Sequence, residues 1–180
     1  MWEIKEPIPV KLIVGILAAN DQCLPIAVDA VVSELGPTDL QSDIWPFTQT
    51  NYYQKQTGKN ILRQFLCFAE LIDPGELARI KNTTNRIEQH MAKSLDLPLA
   101  RPINLDPGII EPSKLVLATT KNYSHRIYIG ENMYAEVTLT YDKGYWKSFY
   151  YTYPDYKEKH YHDFFTKVRD KLVQQLKATG

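Results

Sequence analysis

The chain has 180 residues, 44% of them hydrophobic, with 21 Lys plus Arg against 21 Asp plus Glu. That size and apolar fraction fit one globular domain over 1–180, and zero formal net charge argues against a general nucleic-acid footprint. No run approaches the roughly 18 apolar residues of a spanning helix, and Ile13 to Ala19 is too short and lacks the flanks of a secretory signal.

The expectation is a cytoplasmic protein with no membrane or nucleic-acid partner. Cys23 and Cys67 lie in apolar surroundings, as buried free thiols do in a reducing compartment.

Trp2 to Pro9 is a leading arm. Lys11 to Ala19 (KLIVGILAA) is a nearly continuous apolar strand, the pattern of a central strand covered on both faces. Gly15 permits close approach of a neighbour. Pro25 suits the first turn of a helix over 24–35, with Ala27, Val28, Val31, Val32 and Leu35 as its stripe. Gly36-Pro37 stops it.

Asp39 to Phe47 reads as a second strand and Thr48 to Gly58 as a polar loop. Asn60 to Leu71 is a third strand, Ile61, Arg63, Phe65 and Cys67 alternating with Leu62, Gln64, Leu66 and Phe68, and largely apolar on both faces. Asp73-Pro74-Gly75-Glu76 has the spacing of a capping box opening a helix over 74–92. That helix buries Leu77, Ile80, Thr84, Ile87 and Met91. It shows Arg79, Lys81, Asn82, Arg86 and Gln89 to solvent. Leu95 to Pro102 connects it onward.

Asn104 to Tyr141 holds most of the interesting polar side chains. Asp106-Pro107-Gly108 reads as a rigid turn. Strands follow at Lys114 to Thr120, His125 to Ile129 and Met133 to Tyr141, with a hairpin at Asp142-Lys143-Gly144 into Tyr145 to Tyr153. Met133, Ala135, Val137, Leu139 and Tyr141 alternate with Tyr134, Glu136, Thr138 and Thr140. Pro154-Asp155 then breaks the strand. Asp155 and Glu158 have capping-box spacing for a last helix over 158–177. The fold class is α+β: a single twisted, mostly antiparallel or mixed sheet. Helices cover one face, and the first half is ferredoxin-like, a split βαβ order.

Walker and Rossmann glycine loops, HExxH and Gly-x-Ser-x-Gly are all missing. The densest polar cluster is Lys114, Thr119, Thr120, Lys121, Asn122, His125 and Arg126. Its cations, hydroxyls and amide could hold a phosphate or carboxylate, Arg126 in a bidentate fork. The leading expectation is therefore a small anionic metabolite, phosphorylated or nucleotide-like. Thr119 and Thr120 point to opposite faces of a regular strand, as do His125 and Arg126. Such a site needs a bulge or a strand-end turn.

The alternative is a small hydrolase or transferase using Asp106, His125 and Glu136, metal-assisted if the two carboxylates meet. Against that stands Glu136 in an ordinary cross-strand pair with Arg126 or Lys114. A structural or protein-interaction domain is the third reading. Neither enzyme status nor a cofactor follows from these residues. Most of the 12 tyrosines crowd the C-terminal part, Tyr150, Tyr151, Tyr153 and Tyr156 among them. Aromatic packing accounts for them more simply than base stacking.

Five pieces carry a family resemblance. They are Pro9-Val10-Lys11-Leu12 with Gly15, Asn104 to Gly108, Lys114 to Asn122 with His125 to Tyr128, Tyr134 to Leu139, and Thr152 to Tyr156. On these the chain resembles the bacterial domain of unknown function family DUF4416 over nearly its full length. Tyr151 stands where such proteins often have tryptophan. The resemblance implies no mechanism, the family having no established activity.

Overall fold

The first strand sets the frame. In the computed structural model, which describes residues 3–48 and 54–179, β1 (Val10–Ala18) is buried at every position. Its nearly continuous apolar run accounts for that, and Lys11 is buried within it on Asp39 at 2.6 Å. Trp2 and residues 49–53, parts of the expected arm and loop, lie outside the described residues. β1 pairs antiparallel with β4 (Leu62–Ile72) on one side and β5 (Ile103–Ile110) on the other. The remaining strands are β2 (Thr38–Gln41), β3 (Trp45–Pro46), β6 (Lys114–Thr119), β7 (Ile127–Gly130), β8 (Met133–Asp142) and β9 (Tyr145–Ser148). They complete a nine-stranded sheet of order β2-β4-β1-β5-β6-β8-β7, with β3 beside β4 and β9 beside β8. Every pairing among the described residues is antiparallel. The class is mixed α+β.

Helices cover both faces, which corrects the expectation of one covered face. α1 (Cys23–Leu35) and α3 (Leu77–Ser94) pack on the face of Leu12, Val14, Ile16 and Leu66. α4 (Lys159–Thr179) lays Phe164, Phe165 and Val168 on the opposite face, against Ile13, Phe65 and Leu117. The cause is in β1 and β4, which are apolar at both parities and so leave two faces to bury. Each such side chain contributes about 1.5–3 kcal/mol when removed from water. α2 (Gln54–Thr57) is a single short turn.

Helix α3 starts later than its capping signal suggests. Asp73 Oδ1 accepts from Gly75 N at 2.7 Å, and Pro74 opens a 3-10 turn, Pro74–Glu76. Glu76 turns to Arg79 rather than back to the cap. The C-terminal strands are shorter than expected. Arg126 N donates to Tyr123 O, so His125 and Arg126 sit in a turn before β7. Phe149 N donates to Thr152 Oγ1, so the chain turns after Ser148 instead of continuing to Tyr153.

Asp106-Pro107-Gly108 is not a turn. All three residues lie within β5, in register with Gly15, Val14 and Ile13 of β1. Their effect falls on the other edge. β6 pairs with β5 only over Gly108–Ile110, whereas β1 follows β5 along its length. Main-chain groups of alternate residues point to opposite edges of a strand. Pro107 shares the outward edge of Leu105 and has no N–H to offer there. A Cβ on Gly108 would lie 2.6 Å from both Leu117 Cδ2 and Val116 O, so glycine lets the two strands touch before they part.

Candidate functional site

The parting of β5 and β6 exposes backbone that needs partners. Helix α3 supplies them. Leu105 N donates to Glu88 Oε1 at 2.7 Å, and Lys81 Nζ donates to Leu105 O at 2.7 Å. Lys81 is thus buried, which corrects its expected place on the solvated helix face. Arg101 Nη2 lies 2.6 Å from Glu88 Oε2 and draws the connector onto the same group. Burial pushes the Glu88 carboxyl above its usual range, against the pull of Lys81 and Arg101.

The gap between the strands is a cavity of about 110 Å³. A water needs about 10–15 Å³ of such space, so the cavity has room for a small molecule. Five cationic side chains line it, Arg63, Lys81, Arg101, Lys121 and Arg126, against three carboxylates, Asp106, Glu136 and Asp155.

Arg63 is its floor. Nη2 lies 2.9 Å from Asp155 Oδ2 and Nη1 lies 3.5 Å from Asp106 Oδ2, which also accepts from Asn104 Nδ2 at 2.7 Å. Three rings enclose the guanidinium: Phe65 at 5.3 Å, Phe47 at 5.4 Å and Tyr156 at 5.7 Å. Gly15 gives it room, since a Cβ there would stand 2.9 Å from Nη1. Burial opposes the charge of Arg63, but Tyr156, Asp155 and Asp106 outweigh it and raise its pKa. Burial raises the Asp155 carboxyl, while Arg63 pulls it down. Asp155 is therefore a buried ion-pair partner, not the helix cap its spacing suggests.

The roof comes from the β8 side. The register of β6 against β8 shifts between Leu115 and Val116. Two hydroxyls from the turn after β9 dock on this part of β8. Tyr151 donates to Val137 O at 3.0 Å and Thr152 to Thr138 O at 2.7 Å. They fix the segment that carries Tyr153, Asp155 and Tyr156 to the cavity. Because of the shift, Glu136 pairs with Leu117 and Leu139 with Leu115. The expected strict alternation along β8 breaks there, and Glu136 is buried.

Glu136 Oε2 accepts from Arg126 Nε at 2.8 Å and lies 3.1 Å from His125 Nε2. The turn before β7 removes the parity conflict between His125 and Arg126, so both reach one carboxylate. His125 stacks on Tyr151 with ring centroids 4.1 Å apart. Arg126 also donates to Tyr153 OH at 3.0 Å and Lys121 O at 2.9 Å. Burial works against its charge, and its bonds to Glu136 and Tyr153 raise its pKa.

The fold thus gathers Thr119, Thr120, Lys121, Arg126, Asp106 and Glu136 around one space. β6 ends at Thr119, which frees Thr120 from strand parity. Lys114 is at the opposite end of β6, bound to Glu111 at 2.6 Å. Asn122 is exposed and is not part of the lining. No group of three or more His, Cys, Asp or Glu stands ready for a metal among the described residues. Sequence reasoning missed Arg63, Lys81, Arg101, Asn104, Asp155 and Tyr156. The available signal was Arg63, a lone arginine inside an apolar strand, which requires buried partners.

A family model, Domain of unknown function (DUF4416), matches residues 8–172. The chain belongs to the DUF4416 family. The match runs from just before β1 into α4, so the strands and loops that build the cavity all lie within the DUF4416 region. No curated protein and no solved structure matches the chain. No helix among the described residues of this DUF4416 member is long and apolar enough to cross a membrane.

Proposed function

We propose that the cavity binds a small anionic metabolite, phosphorylated or nucleotide-like. One observation carries this reading: the buried Arg63 faces a small space ringed by Lys81, Arg101, Lys121 and Arg126. Cations held in a partly desolvated wall attract an anion far more strongly than solvated ones do. Thr119 and Thr120 stand at the strand end to satisfy its oxygens. A thermal-shift screen of anionic metabolites against the full chain tests this. Ligands that stabilise the wild type should lose that effect in Arg126→Ala, and a screen with no stabilising anion would reject the reading.

The same reading takes residues 1–180 as one domain. It takes the β1-α1-β2-β4-α3-β5 half as ferredoxin-like, supported by its strand order β2-β4-β1-β5. The free buried Cys23 and Cys67 support a reducing, cytoplasmic setting. A hydrolase or transferase built on Asp106, His125 and Glu136 is the second reading. It draws support from a Glu136 carboxylate held at one oxygen only.

A further inference from the structure

Three buried side-chain atoms in the cavity's lining residues have no hydrogen-bond partner: Arg63 Nε, Glu136 Oε1 and Tyr156 OH. Their residues are 2%, 3% and 2% exposed. Unpaired buried groups are costly, and a cluster of them around one space asks for a partner. The set is chemically mixed. Arg63 Nε can only donate, Glu136 Oε1 accepts, and the tyrosine hydroxyl does either. A plain anion answers the arginine and leaves the carboxylate oxygen unmet.

The donor that meets Glu136 is constrained by charge. Its other oxygen already holds Arg126 at 2.8 Å and faces His125 Nε2 at 3.1 Å. A ligand ammonium would add a further cation to the five that line the space. A hydroxyl donates to Oε1 without that repulsion.

We infer that the ligand is a hydroxylated anion of the polyol or sugar phosphate class, its acidic group on the cationic wall and one hydroxyl on Glu136 Oε1. This rests on the anion-binding reading above and narrows it. The three atoms carry almost no accessible surface, so binding shifts a neighbouring side chain to open the path.

The test is titration calorimetry on the full chain with matched phosphates: propyl phosphate against glycerol 3-phosphate, and hexyl phosphate against glucitol 6-phosphate. Each pair shares its charge and chain length and differs in hydroxyls. The hydroxylated member of at least one pair should bind about tenfold tighter or more, the value of one hydrogen bond to a charged group. Glu136→Gln, which replaces the charged acceptor by a neutral amide, should narrow that difference. Equal wild-type affinities within both pairs would overturn this inference and leave the anion reading standing. Failure of all four phosphates to bind would overturn this inference, and the anion reading falls with it only if the wider anionic screen also yields no ligand. The wild-type comparison needs no variant, so a poorly folded Glu136→Gln protein does not shield the claim.

Discussion

Arg63 Nη2 and Asp155 Oδ2 meet at 2.9 Å across 92 residues of sequence. The contact ties the start of β4 to the turn before α4, and both ends are buried. Removing one partner of a buried pair strands the other charge. Asp155→Ala should cost about 3 kcal/mol, the low end of the usual range because Asp106 remains near Arg63. Urea denaturation measures it. A loss below about 1 kcal/mol would show that the pair is not buried as described.

Gly15→Ala probes the room beneath that guanidinium. The new Cβ would stand 2.9 Å from both Arg63 Nη1 and Phe65 Cε1. Both neighbours are buried and must shift, so the change should destabilise by about 1–3 kcal/mol. It should also weaken the anion binding proposed above, because Arg63 is displaced. An alanine variant as stable as the wild type would contradict this.

The backbone of β5 depends on α3 where β6 has left it. Glu88→Ala removes the acceptor of the Leu105 amide. Amide hydrogen exchange at Leu105 should accelerate, and stability should fall by about 1–3 kcal/mol. Unchanged protection at Leu105 would mean another group takes that hydrogen.

Alkaline pH should unfold the protein ahead of ordinary expectation. Burial pushes the Tyr161 hydroxyl up to about 12, from 10.0. Burial also raises Tyr156. The unfolded chain ionises both near pH 10. A folded value above the unfolded one gives stability that is whole below about pH 10 and is lost as pH rises through the folded value. Tyr161 should therefore contribute a loss of about 1.4 kcal/mol per pH unit between those limits. Denaturation curves between pH 9 and 11.5 should show the fall, and Tyr161→Phe should flatten it by about that slope.

Much of this architecture was legible in residue patterns. The apolar run of β1, the stripes of α3 and α4, and the antiparallel pairs announced themselves through periodicity. What escaped was set by pairing across the sheet. Asp106-Pro107-Gly108 carries the same local signal whether it turns the chain or releases a neighbouring strand. Only the continued pairing of β1 along β5 separates the two. Lys81 reads as a surface lysine until β5 lacks a partner at Leu105. Asp155 reads as a cap until Arg63 is brought to it. On the cavity side, Thr119, Thr120, Lys121 and Arg126 were near enough in sequence to be grouped. Lys114 is close to them in sequence but lies at the other end of β6, a separation that sequence proximity does not reveal.

The proposed anion site is tested most directly by titration calorimetry of the full chain with the best anionic metabolite from the screen, in wild type and Arg126→Ala, at two salt concentrations. The account predicts one site, weakened by added salt, with affinity reduced about tenfold or more in the variant. Binding of the same strength in Arg126→Ala, or affinity indifferent to salt, would contradict it.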